Sequence, residues 1–551
     1  MNDSLVEEVR RWIALDPDER DRAELQALLD ANDESELERR FRVPLTFGTA
    51  GLRGPVMAGP AGMNRATVRR ATVGVLAWLN EKGLDATRGV IVGRDARRGS
   101  EAFNDEVVSV LLGGGAVVYE MPSPLPTPLV PYCVKALGAV AGIMITASHN
   151  PREDNGYKLY APDGAQIIPP DDEIVERYAR AAGNVALADR SALRYRSVPP
   201  EVLDDYRSHM LARFRPEGGS DLAITYTPLH GVGGEFAMAL LADAGYRRVA
   251  KVERQFAPDP LFPTLPFPNP EEPGALELSM ETANAARSSL ILANDPDADR
   301  LGAAVHDGIG WRVLRGDEIG WLLASWLVDE VKAKGQRMAT SIVSSTLLAK
   351  LARESGVICA TTLTGFKWIA RAAGTGVLGF GYEEALGYAV DPAVSDKDGL
   401  SAALAVARVA HELARDGKTL IDRIDELEAR FGVHRTAQLS FRAEGPTARD
   451  QIAQRIESLR SSTPDSLGGV RVTGVIDLAD GWLGLPSTEG LVFELGELGR
   501  VIVRPSGTEA KVKAYLELTP PRDGTLEEQR DVSQRISNAI EADLTVRLDC
   551  D

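Results

Sequence analysis

Short β-branched runs that each stop at a polar loop recur along this chain, with helix-length stretches between them. "GVIVGRDAR" (89–97), "AVVYEMPSPLPTP" (116–128), "AVAGIMITASHNP" (139–151), "LAITYTPLHGVGG" (222–234) and "SLILANDPDADRLG" (289–302) all have this form. "MNRATVRRATVGVLAWLNEKG" (63–83), "FAMALLADAGY" (236–246), a stretch from about Asp317 to Gly335 and residues 399–416 read as helices. Such alternation predicts sheets covered by helices. At 551 residues the chain exceeds one core, and about 150 residues per domain suggests roughly four domains. The expected fold is α/β: three mixed-sheet α/β domains plus a smaller C-terminal α+β domain. The expected boundaries are 1–218, with N-terminal helices over the first 41 or so residues, then 219–312, 313–432 and 433–551.

A net charge of −18 argues against nucleic acid or an anionic membrane as partner, because both need a basic field. The three cysteines, Cys133, Cys359 and Cys550, have no metal or redox spacing and read as reduced thiols. Neither a signal peptide nor an 18-residue apolar run is present, so a cytoplasmic location is expected.

In open α/β sheets, ligands bind where strands end. "TASHNPREDNGYK" (146–158) crowds Thr146, Ser148, His149, Asn150, Asn155 and Lys158 onto one strand end. It lacks the esterase G-x-S-x-G, so Ser148 is not an evident acyl-transfer nucleophile. "NDPDADR" (294–300) sets Asp295, Asp297 and Asp299 at i, i+2 and i+4, one side of an extended segment. Clustered carboxylates repel without a cation, and hard oxygen ligands suit Mg²⁺. An EF-hand is excluded, since Arg300 and His306 stand where Gly and Glu are required.

"VRPSGTEAK" (503–511) offers Arg504, Ser506, Gly507 and Thr508 as an anion nest, or else an ordinary Ser-Gly turn. "GYEEALGY" (381–388) places Glu383 and Glu384 after a strand, as sugar-hydroxyl acceptors or as acids at a helix start. "GTGVLG" (374–379) imitates a dinucleotide fingerprint but follows a helix and precedes a strand, the reverse of the required order. Of six histidines, His149 and His230 lie in strand-end loops. A serine, a metal loop, an anion nest and the cations Arg53, Lys158, Arg300, Lys367 and Arg504 equip a chain for phosphoryl transfer.

"TASHNP" with "NGYK", "DPDADR", "GYEEALG" and "RPSGTE", in this order, make the chain resemble the α-D-phosphohexomutase superfamily. "FGTAGLRG", "YTPLHGVGG" and "TGFKWI" are similar to the branch holding phosphopentomutase and glucose 1,6-bisphosphate synthase. The resemblance covers nearly the whole chain and implies four domains around a central cleft. It implies a phosphoserine at Ser148 and Mg²⁺ held by Asp295, Asp297, Asp299 and a phosphoserine oxygen. It also implies catalytic roles for Arg53, His149, Lys158 and Arg300, with Lys158 as general acid/base. Substrate contacts would fall to Thr364, Gly365, Lys367, Glu383 and Glu384, and the non-reacting phosphate to Arg504, Ser506, Gly507 and Thr508.

The implied activity interconverts hexose 1- and 6-phosphates of glucose or mannose, primed by a sugar 1,6-bisphosphate. The alternatives are a phosphopentomutase, a glucose 1,6-bisphosphate synthase or, outside the class, a phosphatase acting through the serine. The expected partner is a small phosphosugar, and the expected assembly a monomer or weak homodimer. Ala385 replaces a serine common in the family, which leaves the sugar open.

Overall fold

The computed structural model describes residues 2–47, 51–443, 448–506 and 511–549. The chain forms two compact units, Met1–Leu314 with Leu386–His411, and Arg315–Ala385 with Glu412–Asp551. The architecture is a four-domain α/β one.

The first unit begins with three helices, Asp3–Leu15, Glu19–Asp30 and Glu34–Phe41. Each is capped by an Asn or Asp side chain, Asn2, Asp18 or Asp33, accepting from a first-turn backbone N–H. They close around Val9, Trp12, Leu25, Leu37 and Phe41.

A six-stranded sheet follows, ordered Leu52–Pro55, Asp154–Tyr160, Ala141–Ile145, Val90–Arg94, Val118–Glu120 and Tyr195–Ser197. Ala141–Ile145 is buried at every residue, as a strand covered on both faces must be. It pairs in parallel with Val90–Arg94 and antiparallel with Asp154–Tyr160, with Met144 opposite Lys158. Arg53 lies opposite Gly156 on the next strand.

A five-stranded mixed sheet completes this unit, ordered Trp311–Val313, Leu301–His306, Leu290–Asn294, Ser220–Thr227 and Tyr246–Lys251. Asn294 and Leu301 face each other in an antiparallel pair, so the acidic loop joins two adjacent strands. The helix expected over 236–246 runs instead from Gly234 to Asp243, and Tyr246 opens a strand. Gly245 (φ +90°) takes the left-handed conformation that reverses the chain there.

In the second unit, Arg337–Ser341 pairs in parallel with Cys359–Thr362 and with Leu378–Glu383. Helix Gly316–Ala333 packs on this layer. Leu378–Glu383 follows the "GTG" turn as a strand, as expected. "FKWIARAA" is only a single helical turn, Phe366–Ile369, followed by i to i+3 turns through Gly374. An antiparallel sheet orders Arg435–Arg442, Lys511–Leu518, Gly499–Pro505, Leu491–Glu494 and Gly474–Asp477. Its apolar face buries Val501, Val503, Leu516 and Phe493 with Ile456 and Ile540 of two helices. Cys133 and Cys359 are free thiols, and Cys550 lies outside the described residues. No helix among the described residues is long and apolar enough to cross a membrane.

Candidate active site

The serine turn is held in place from all sides. Thr146 Oγ1 accepts the Ser148 backbone N–H at 2.8 Å. Ser148 has φ +54°, a left-handed conformation that costs a non-glycine residue about 1–2 kcal/mol. Arg97 offsets that strain, donating to the backbone carbonyls of Ser148, Asn150 and Pro151. Arg97 is itself buried against Asp95, which also accepts from the Ser100 hydroxyl at 2.6 Å. Asn155 donates to Ser100 Oγ at 3.0 Å and so ties in the next strand. The Ser148 hydroxyl is thereby fixed 2.7 Å from Asp295 Oδ2, to which it donates, and 3.2 Å from His149 Nδ1. Arg53 Nη1 donates to Asn150 Oδ1 on the same turn at 3.3 Å.

Asp295, Asp297 and Asp299 converge, but not through an extended segment. Ala298 N–H donates to the Asp295 carbonyl and Ala298 takes φ +55°, so the loop turns back on itself. Val232 N–H donates to the Pro296 carbonyl at 2.8 Å, and a Cβ on Gly231 would stand 2.3 Å from Pro296 Cα. The "LHGVGG" loop therefore packs directly on the acidic one, and glycine is required at the contact.

All three aspartates are 0% exposed, and one oxygen from each lies within 4.8 Å of the others. Lys158 Nζ donates to Asp297 Oδ2 at 2.7 Å and to Asp299 Oδ2 at 2.6 Å. Thr127 Oγ1 donates to Asp297 Oδ2 at 2.6 Å. Lys397 Nζ stands 3.3 Å from Asp299 Oδ2, and Arg300 Nε 3.9 Å from Asp299 Oδ1.

Burial pushes the Asp295 carboxyl well above the usual range, and its two acidic neighbours push it further. For Asp297 and Asp299 burial acts in the same direction. Lys158, with Thr127 and Arg53 at Asp297 and with Lys397 and Arg300 at Asp299, outweighs it and holds both carboxyls low. Asp297 Oδ1 and Asp299 Oδ1 are buried with no hydrogen-bond partner. Buried acceptors are nearly always satisfied, so two orphans side by side, joined by a third carboxylate, fit a hard divalent cation such as Mg²⁺.

The second unit carries the other predicted residues. Glu383 ends its strand rather than following it, and its side chain is buried. Glu384 accepts from the Ser344 hydroxyl at 2.9 Å and the Ser341 hydroxyl at 3.1 Å. Burial, helped by Glu383 and Asp317, raises its carboxyl to about 7. Thr364 Oγ1 is buried without a partner, Gly365 takes φ +111°, and Lys367 is buried with Nζ 6.0 Å from the Trp368 ring centroid. Arg504 and Ser506 are half-buried, and the Ser506 N–H donates to the Lys511 carbonyl at 2.8 Å. Gly507 and Thr508 lie outside the described residues.

Sequence reasoning missed Thr127, Lys397 and Arg97. Their available signals were "PLPTP" at a strand end, the charged run "SDKDG" and "GRDAR". His230 lies apart from this chemistry: its Nε2 is 2.8 Å from Thr264 Oγ1.

Models of the phosphoglucomutase/phosphomannomutase family match four consecutive segments. The three α/β/α domains match residues 44–185, 204–308 and 315–431, and the C-terminal domain matches 441–533. A probable phosphomannomutase of Haemophilus influenzae is 40% identical over 465 residues, 83% of this chain and 93% of that protein. A phosphopentomutase of Mus musculus is 34% identical over 588 aligned positions, 98% of this chain and 94% of that protein. Among solved structures, a phosphoglucomutase/phosphomannomutase family protein from Burkholderia thailandensis superposes with a TM-score of 0.68. It is 19% identical and covers 91% of this chain and 97% of that one, a likeness of fold.

Proposed function

The chain belongs to the phosphoglucomutase/phosphomannomutase family, and from that premise we propose that this phosphosugar mutase interconverts the 1- and 6-phosphates of glucose or mannose through a phosphoserine at Ser148. The observation that carries the reading is the Ser148 hydroxyl 2.7 Å from Asp295, within a buried aspartate trio that has two orphaned oxygens.

In the first half-reaction the Oγ–P bond of phosphoserine breaks and a P–O bond forms to the free hydroxyl of the sugar monophosphate. The bisphosphate turns over, and its other phosphoryl group passes back to Ser148 Oγ. Asp295, Asp297 and Asp299, with a phosphoserine oxygen, would hold Mg²⁺, which would supply charge stabilisation for the phosphoryl oxygens.

Arg53 and Arg300 add positive charge beside the serine turn and the acidic loop, and His149 orients Oγ from 3.2 Å. Lys158 is the general acid/base of this reading: it takes the proton from the attacking sugar hydroxyl as the free amine, once its ion pairs with Asp297 and Asp299 open, and returns it in the second half-reaction. Its two ion pairs fix the amine beside the reacting oxygens. The unphosphorylated enzyme is charged by a sugar 1,6-bisphosphate.

In the second unit Glu383, Glu384, Thr364, Gly365 and Lys367 take the sugar, and Arg504, Ser506, Gly507 and Thr508 take the non-reacting phosphate. Thr364 Oγ1 supports this reading by being buried without a hydrogen-bond partner among the described residues. The expected boundaries at 218, 312 and 432, a cytoplasmic location and a monomeric or weakly dimeric state belong to the same proposal.

The test is a side-by-side assay of glucose, mannose, ribose and deoxyribose 1-phosphates with Mg²⁺ and the matching bisphosphate. Hexose phosphates should turn over fastest. Faster turnover of the pentoses would move the activity to phosphopentomutase, and release of inorganic phosphate without isomerisation would make the chain a phosphatase.

A further inference from the structure

A cavity of about 390 Å³ lies in the first unit, between helix Asp3–Leu15, the segment from Pro44 to Phe47, helix Arg65–Glu81 and helix Asp171–Ala181. None of the candidate catalytic residues lines it. Its size falls within the range of small-molecule sites, about 300–1,000 Å³.

Trp12, Leu15, Leu45 and Phe47 give it apolar walls. Into these walls comes Arg70, half-buried, its guanidinium carbon 4.4 Å from the Trp12 ring centroid. No described residue accepts a hydrogen bond from that guanidinium. A partly desolvated cation with no acceptor is costly, and an anion at its free edge relieves that cost.

Arg11 and Arg180 also line the cavity, against Glu8 and Glu176, so three arginines face two glutamates. Arg180 is paired with Glu176 and both Arg180 and Arg11 are exposed, which leaves Arg70 as the inward cation. Burial lowers the Arg70 pKa, against the opposing pull of Asp16.

We propose that this cavity is a second ligand site, taking a small organic anion with an aromatic or otherwise flat apolar body. The body packs on Trp12, Leu45 and Phe47, and one carboxylate, sulfonate or phosphate group bonds Arg70. A sugar phosphate is a poor fit, because its hydroxyls would meet apolar walls without partners. The wall of the cavity continues toward the serine centre. Phe47 meets the Tyr157 ring edge-on at 6.2 Å between centroids, Leu52 pairs with Tyr157, and the next residue is Lys158.

The probe is 8-anilinonaphthalene-1-sulfonate, an aromatic monoanion whose fluorescence rises in apolar surroundings, titrated into the full chain. Binding should saturate at one equivalent, and saturating glucose 6-phosphate should not displace it. Arg70→Gln should raise the Kd about tenfold or more, the effect of losing a charge-assisted contact. Arg70→Lys should give an intermediate Kd, keeping the charge but not the fork. Ala179→Trp, which fills the cavity from helix Asp171–Ala181, should remove binding altogether. Mutase rates in all three variants should match the unmodified chain, which shows that they are folded. Unsaturable binding, displacement by glucose 6-phosphate, or an unchanged titration in Ala179→Trp overturns the proposal.

Discussion

The serine centre of the first unit and the substrate loops of the second are built on opposite terms. Around Ser148 one hydroxyl, three carboxylates, two lysines and an arginine are buried and bonded to one another or to the serine turn, with Asp297 Oδ1 and Asp299 Oδ1 left open among the described residues. In the second unit Glu384 is held by two serine hydroxyls, Thr364 Oγ1 has no hydrogen-bond partner among the described residues, and Arg504 is half-buried. The difference suits a mutase. The phosphoryl group leaves and returns at one place in both half-reactions, so that place is preorganised. The sugar is presented both ways round, so the groups proposed to hold it need not form one closed network.

The comparison breaks first at the acidic loop. Asp297→Asn removes a ligand and half of the Lys158 anchorage, and kcat/KM should fall by about 10³-fold or more. Chelation with EDTA should have a similar effect, and full turnover in metal-free buffer would contradict the assignment. A smaller loss is expected from Arg97, which is paired with Asp95 and donates its side-chain hydrogen bonds to backbone carbonyls of the serine turn. Arg97→Lys loses the fork that spans three of them. A serine displaced by about 1 Å should cost roughly 100-fold in kcat with KM little changed. An equal change in KM would make Arg97 a binding residue instead.

Arg504→Ala probes the proposed substrate side. One lost charge-assisted contact is worth about 1.5–3 kcal/mol, so kcat/KM should fall about 10- to 150-fold, alike for the 1-phosphate and the 6-phosphate. Unchanged affinities for both phosphosugars would remove it from the distal-phosphate role.

The smallest effect concerns Glu384. Its carboxyl is raised to about 7 by burial, so it is protonated below and anionic above that pH. A raised carboxyl favours the folded state at low pH, and that contribution is lost as pH rises through about 7. The anion is the better acceptor for a sugar hydroxyl, so KM should fall about two- to tenfold as pH rises through this range. Glu384→Gln should flatten that profile.

What the sequence disclosed follows the same division. Ser148, the aspartate trio and the strand-end loops are local patterns, visible within a dozen residues. Even there the mechanism was misread, because i, i+2, i+4 spacing implied an extended segment whereas a left-handed Ala298 turns the loop. Thr127 and Lys397 reach the aspartates from 170 and 98 residues away, a distance only the topology closes. The helix read over 236–246 failed at its end because apolar residues continue into the next strand. Gly245 marks the break, and it was present in the sequence.

The central claim is that Ser148 carries the phosphoryl group, and intact mass measures it most directly. After incubation with glucose 1,6-bisphosphate and Mg²⁺, a species about 80 Da heavier should appear, one HPO₃ group. Excess glucose 1-phosphate should discharge it. Ser148→Ala should show neither the added mass nor mutase activity. A Ser148→Ala protein that still gains the mass, or still isomerises the sugar phosphate at the full rate, would contradict the account.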